Sequence, residues 1–393
     1  MGIGRFAFTP ILPMMLAEGV VDLPTASWLA SANYFGYLAG ALLCACGPWL
    51  GRRLPLPRPG GALLVRAGLA ATAALTLAMA LPGPALWPLW RFGAGVASAF
   101  VLVYTTGWCL ALLARHGRSA LGGVMFAGPG AGIVVSGLLA SALVAANGRA
   151  GQAWFVFALL AAVLSASVWT IFAAGEGQLD GVAAQPAPVP GSAAESTSAT
   201  SSAQIACFSL AYGLAGFGYI VTATFLPVIA RAALPGSPAL DLFWPIFGAG
   251  VIAGALLSTR LRIAGDLRLL LAAAYVVQAV GIGLGIVVPS EAGFALGSLL
   301  LGLPFTAIAF FAMQEARRLK PRSPASLIGL LTATYGIGQI AGPPMVSLLL
   351  ERSASASAGF RLSLGIAAGA LLAGAGFYLL MRRRWPVPGR QSP

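Results

Sequence analysis

The chain has 393 residues, of which 59% are hydrophobic and only 8% charged, against about 25% charged in a soluble protein. With a mean hydropathy of +0.88, it carries more apolar surface than a water-soluble core can hide, so most of it is solvated by lipid. Its formal net charge of +13 is scattered through short gaps between apolar runs, which argues against a nucleic-acid surface.

In chain order, twelve stretches are candidates to cross ~30 Å of hydrocarbon: about 1–17, 26–50, 62–81, 86–112, 120–145, 152–173, 204–230, 243–259, 267–288, 294–314, 326–350 and 360–381. The first opens "GIGRFAFTPILP" (2–13), with Arg5 in an otherwise apolar setting. Counted from Met1 it offers about 16 apolar residues, ~24 Å as a helix. The expectation is therefore that Met1 is a misplaced start or that span 1 is shortened and begins inside the headgroup region. In span 2, Asn33 and Tyr37 share one helix face, and Gly36 and Gly40 form a GxxxG strip for helix packing. Span 4 carries a second intramembrane arginine, Arg91, with Gly95 and Ser98 on its face. Tyr219 in span 7 and Gln339 in span 11 read first as helix–helix hydrogen-bonding groups and secondarily as ligands. Glu315 stands three residues before Arg318 at the end of span 10 and reads as a surface ion pair, with a proton carrier as the alternative. Trp28, Trp87, Trp244 and Trp385 near span ends read as interface anchors. Cys44, Cys46, Cys109 and Cys207 lie inside apolar runs as packing residues, and His116 sits solvated in a basic loop.

Between spans 6 and 7 lies a Pro/Ser/Ala-rich stretch, 175–203, that lacks Lys and Arg and has no core of its own. The predicted organisation is an N-terminal six-helix bundle over 1–173, a flexible cytoplasmic linker over 174–203, and a C-terminal bundle with a short basic tail over 204–393. Counted on alternate sides, 17 of the 23 basic residues fall on one side of the membrane and four on the other, with Arg5 and Arg91 inside spans. By the positive-inside rule both termini and the linker face the cytoplasm. Sliding the chain along itself until Gly2 falls on Gly216 lays "GIGRFAFTPILP" on "GFGYIVTATFLP" (216–227). The same offset lays "GYLAGALL" (36–43) on "GVIAGALL" (250–257). One offset held over two spans marks a parallel repeat, the layout of transporters built from two like halves.

These segments resemble the YbfB/YjiJ-type bacterial branch of the major facilitator superfamily, over essentially the whole chain. "GPWLGRR" (47–53) resembles the superfamily's loop after span 2, with Gly47 and the basic pair Arg52 and Arg53. Gly51 stands where that pattern carries Asp, so the charge relay associated with the loop lacks its acid. "RFGAGVASA" (91–99) resembles the span-4 motif. "GPGAG", with Gly128, Pro129 and Gly132, resembles the span-5 element associated with exporters, without the glycine expected at Val124. The resemblance implies an all-α integral membrane fold of twelve helices in two pseudo-symmetric six-helix bundles, with a substrate site between them and spans 1 and 4 on the cavity wall.

An arginine at the bilayer centre costs about 2.5–3.5 kcal/mol on insertion scales and should face protein or a water-filled cavity. Two readings of Arg5 and Arg91 are open: struts on backbone carbonyls, or a site for an anion. All ten acidic residues are placed in loops, the linker or span ends, so no intramembrane carboxylate is expected to neutralise them. The expected function is a secondary transporter for a small organic anion, bound by Arg5 and Arg91 with Tyr219, Asn33, Tyr37 and Gln339. The further partners are the lipid bilayer and, as one mode of coupling, a proton, beside anion exchange or passive transport. An exporter of amphipathic drugs is the alternative within the class, and a channel or scaffold fits the repeat less well. One loop histidine and four scattered cysteines provide no enzyme centre, metal site or cofactor site. The expected setting is the bacterial inner membrane, as a monomer.

Overall fold

The computed structural model describes residues 2–53, 60–118, 121–174, 201–237, 239–260, 266–321 and 324–387, without the side chains of 47–53, 173–174 and 325. The described residues are helical almost throughout and contain no strand. Their α-helices run in order: α1 (Phe8–Ala17), α2 (Leu23–Arg53), α3 (Gly61–Ala78), α4 (Trp87–Arg115), α5 (Gly122–Met125), α6 (Ala127–Ala145) and α7 (Ala150–Ala174). The second set is α8 (Ser202–Ala233), α9 (Phe243–Arg260), α10 (Leu267–Val287), α11 (Glu291–Gly302), α12 (Phe305–Leu319), α13 (Pro324–Arg352) and α14 (Ala356–Arg384). Among the described residues, ten segments are long and apolar enough to cross a membrane. Their apolar residues also face outward: Phe155, Leu159 and Val163, one turn apart on α7, are 54%, 56% and 58% exposed. Such a stripe would be a liability in water and is what lipid requires.

Three predicted spans depart from single helices. Span 1 becomes helical only at Phe8, and residues 2–7 are turns. Gly2 and Gly4 weaken the helix there, and the ten residues of α1 rise about 15 Å. Its far end is closed by Gly19 at φ +67°, with the Val20 N–H on the Met15 carbonyl (3.0 Å). Span 5 is divided into α5 and α6, and span 10 into α11 and α12, the latter at Leu303–Pro304 where proline has no N–H to continue the ladder. Residues 175–200 of the predicted linker and the side chains of Gly47, Arg52 and Arg53 lie outside the described residues.

The repeat read from the sequence is visible as repeated contacts. A Cβ on Gly36 would meet the Phe92 carbonyl of α4, and one on its repeat partner Gly250 would meet the Leu299 carbonyl of α11. Gly40 and Gly254 repeat the relation one turn on, against Val96 and Leu303. From the other side, a Cβ on Gly95 would strike the Asn33 carbonyl and one on Gly302 the Phe247 carbonyl, and Asn33 and Phe247 are again repeat partners. Glycine lets each backbone pair approach this closely.

The halves meet along two seams. α6 packs on α9, with Gly130 against Ile252 and Gly248, and Gly137 against Pro245. α2 packs on α13, where Ser31 Oγ donates to the Ile340 carbonyl (3.0 Å) and Leu38 lies over Gly336. α1 and α8 fill the centre, joined by Thr9 Oγ1 donating to the Ala223 carbonyl (3.1 Å). One end of the molecule carries the ends of α7 and α8 that flank the linker and is called the linker face; the other is the distal face.

Candidate functional site

Arg5 lies in the turn that leads into α1 and is 6% exposed. Tyr219, at the same place in the repeat, stands at the middle of the long helix α8, which puts this level at mid-depth. The Arg5 guanidinium carbon is 4.4 Å from the ring centre of Tyr37, 5.2 Å from Tyr34 and 5.7 Å from Phe6. Aromatic faces stabilise a cation but accept no conventional hydrogen bond along its N–H directions. Arg5 Nε and Nη2 are buried and have no hydrogen-bond partner, an expensive state for donors of fixed charge. Among the described residues Arg5 forms no ion pair.

Arg91, 2% exposed, is held differently. Its Nη1 donates to the Gly4 carbonyl (3.4 Å) and its guanidinium carbon lies 4.7 Å over the Phe8 ring, although its Nε is unpartnered. It is thus tied to the backbone beside Arg5, in the manner of a strut. Asn33, fully buried, donates from Nδ2 to the Arg91 carbonyl (2.9 Å) and so joins α2 to α4. Asn33 and Tyr37 therefore serve different neighbours: the amide turns to α4, and the phenol ring covers Arg5.

Within the second half, Gln339 Nε2 donates to Tyr219 Oη. Tyr219 stacks on Tyr335 at 5.8 Å with 20° between planes, and Tyr335 lies 4.9 Å from Tyr212. The other edge of Tyr219 meets Phe305 at 4.9 Å. Tyr34, whose ring lies against Arg5, reaches the second half through Thr224 of α8 (2.8 Å). Of the six residues predicted to bind substrate, the structure gathers Arg5 and Tyr37 with Tyr219 and Gln339, and sets Arg91 and Asn33 behind them as support. On the distal side the cluster is covered by the hydrogen bond between Tyr34 Oη and Thr224 Oγ1 (2.8 Å) and by the Thr9–Ala223 link. On the linker side Tyr37 and Tyr335 are half-buried. A separate cleft of about 550 Å³ opens at the distal face between Glu18, Trp87, Arg149 and Trp154, away from Arg5.

Several expectations need correction. Trp87 and Trp244 are not interface anchors; they are 4% and 1% exposed, and Trp244 stacks on Phe247 (5.2 Å) and packs against Phe6 (6.2 Å). Trp28, 64% exposed, retains the anchor position. In the exporter-like element, Gly132 packs on Gly2, whereas a Cβ at Gly128, one residue before Pro129, would meet nothing within 4 Å.

Glu315 is no surface pair. It is fully buried, with Oε2 accepting from Arg318 Nε (2.7 Å) and Oε1 from Arg318 Nη2 (2.5 Å). Arg268 Nε is 3.9 Å from the same carboxylate. Arg268 is itself fully buried, bound by Asp266 (2.9 Å) and donating to the carbonyls of Met381 (2.9 Å) and Trp385 (2.7 Å). Burial opposes ionisation of Asp266, but hydrogen bonds from Arg268 outweigh it and hold the carboxyl below its usual range. This network ties α10, α12 and α14 together at the linker face. Its one sequence signal was the Glu315/Arg318 spacing, which carried no sign of burial; the cap that Asp266 forms on α10, two residues before Arg268, is seen only in the structure.

A helical bundle with two like halves and lipid-compatible outer faces is the architecture of a membrane transporter of the major facilitator fold. The family described as "Uncharacterised MFS-type transporter YbfB" matches residues 1–379, and the chain belongs to that family. Among solved structures it is similar to the nucleoside transporter NupG, with a TM-score of 0.70, 16% identity and 97% of each chain covered. No curated protein sequence matches it.

Proposed function

We propose that this transporter moves a small organic anion across the bacterial inner membrane by rocking its two halves about the level of Arg5. The observation that carries the reading is a buried guanidinium with two unpartnered donor nitrogens at the centre of the molecule. An arginine is permanently charged, and its planar fork suits a carboxylate. The surrounding tyrosines lower the cost of burying the charge without occupying its donors. Tyr37, Tyr219 and Gln339 complete the seat, while Arg91 and Asn33 brace it. The distal hydrogen bonds and the half-buried tyrosines on the linker side support a form closed distally. The seams between α2 and α13 and between α6 and α9 support a division at the linker into bundles of 1–173 and 204–393. The excess of basic residues on the linker face supports cytoplasmic termini.

The test compares Arg5 and Arg91 variants in binding and thermal stability. Arg5→Ala should abolish binding of carboxylates and leave the melting temperature nearly unchanged, because its Nε and Nη2 donors satisfy no protein acceptor. Arg5→Lys should restore part of the binding. Arg91→Ala should lower stability, since the Gly4 carbonyl loses a buried donor worth about 1–3 kcal/mol. Unchanged carboxylate binding in Arg5→Ala would refute the assignment.

A further inference from the structure

The site is chemically lopsided. Its charge comes from the first half alone, through Arg5, whereas the matching position of the second half is Tyr219. Around Tyr219 the wall is aromatic: Phe305 on one side, Tyr335 stacked on the other, and Tyr212 beyond it. Tyr34 and Tyr37 over Arg5 extend that surface into the first half. Tyr37 and Tyr335 are half-buried, so the aromatic surface continues to the accessible linker side.

An acid with an aliphatic body would gain from these faces only what any apolar wall supplies. A planar ring gains quadrupole-matched stacking or edge contacts as well, which favour offset or edge-to-face geometry. From this we infer that the substrate is an aromatic carboxylate, its carboxylate on Arg5 and its ring against the aromatic wall that Tyr37 and Tyr335 present and Tyr219 backs. The inference rests on the reading of Arg5 as the seat of an anion. Tyr219 is then a specificity-determining residue that selects the ring, and Gln339 fixes its orientation through the phenol oxygen.

The experiment uses the full chain in liposomes and measures equilibrium binding of radiolabelled benzoate, with cyclohexanecarboxylate, acetate and benzyl alcohol as competitors. The two ring acids share charge and approximate size and differ in aromaticity. Benzoate should bind about 3- to 10-fold more tightly than cyclohexanecarboxylate, the range of an aromatic pair contact. Acetate should compete more weakly than either ring acid. Tyr219→Leu and Tyr335→Leu should bring the two ring acids to within twofold of each other. Tyr219→Phe, which keeps the ring, should preserve the preference and guards against a misfolded leucine variant. Equal binding of the two ring acids by the unaltered chain, an unchanged ratio in folded leucine variants, or no benzoate binding at millimolar concentration would overturn the inference. If benzyl alcohol competes as well as benzoate and Arg5→Gln changes nothing, the anion reading itself fails, whatever the ring preference.

Discussion

Replacing either member of the Glu315–Arg318 pair should destabilise the protein, but unequally. Breaking a buried pair by removing one partner costs about 3–5 kcal/mol when the other is left buried and uncompensated. Arg318→Ala creates that situation: Glu315 is fully buried, and its remaining cation is Arg268 Nε at 3.9 Å. Glu315→Ala strands less. The Arg318 side chain is 34% exposed and can turn to water, and Arg268 keeps Asp266 and the carbonyls of Met381 and Trp385. Its cost should fall to about 2 kcal/mol after allowing for solvent screening. The double variant removes both charges and should be less damaging than the sum by about 1–3 kcal/mol, the coupling typical of contacting residues. Apparent melting temperatures in detergent, followed by tryptophan fluorescence, would give the order of the three variants. A Glu315→Ala variant less stable than Arg318→Ala, or strict additivity in the double variant, would refute the reasoning.

Gly36→Ala should destabilise the α2–α4 seam by about 1–3 kcal/mol, as overpacking does, because its Cβ would fall on the Phe92 carbonyl. Gly128→Ala, with nothing within 4 Å, should be neutral or slightly stabilising in the same melting assay. Asp266 has a depressed folded-state pKa, so its stabilising contribution is complete above the unfolded value of about 4 and is lost as pH falls through the folded one. A pH series of melting temperatures should show that acid loss blunted in Asp266→Asn and no difference in slope between about pH 6 and 8. A reporter fused after Pro393 should be cytoplasmic and one inserted at 289–293 periplasmic; a cytoplasmic signal from the second would contradict the proposed topology.

Hydropathy alone locates the apolar segments, and a single offset, the one that lays Gly2 on Gly216, pairs the halves, because solvation and repeat register are properties of consecutive residues. The Gly36/Gly250 and Gly40/Gly254 correspondences survive unchanged in the packing for the same reason: each glycine serves its own helix pair. Breaks such as Leu303–Pro304 were less legible, since proline inside a membrane helix can kink it or end it. For Arg5 and for Arg91 both readings, strut or anion site, were open in sequence, and only the tertiary structure shows their different surroundings. The Gly4 carbonyl falls within reach of Arg91, while tyrosine rings from α2 take the space around Arg5. Glu315 looked exposed because a helix end beside basic residues ordinarily is, yet Arg268, from the start of α10, closes over it with the end of α14. Local sequence determines which segments leave water, whereas the partner of each buried charge depends on groups brought together from distant parts of the chain.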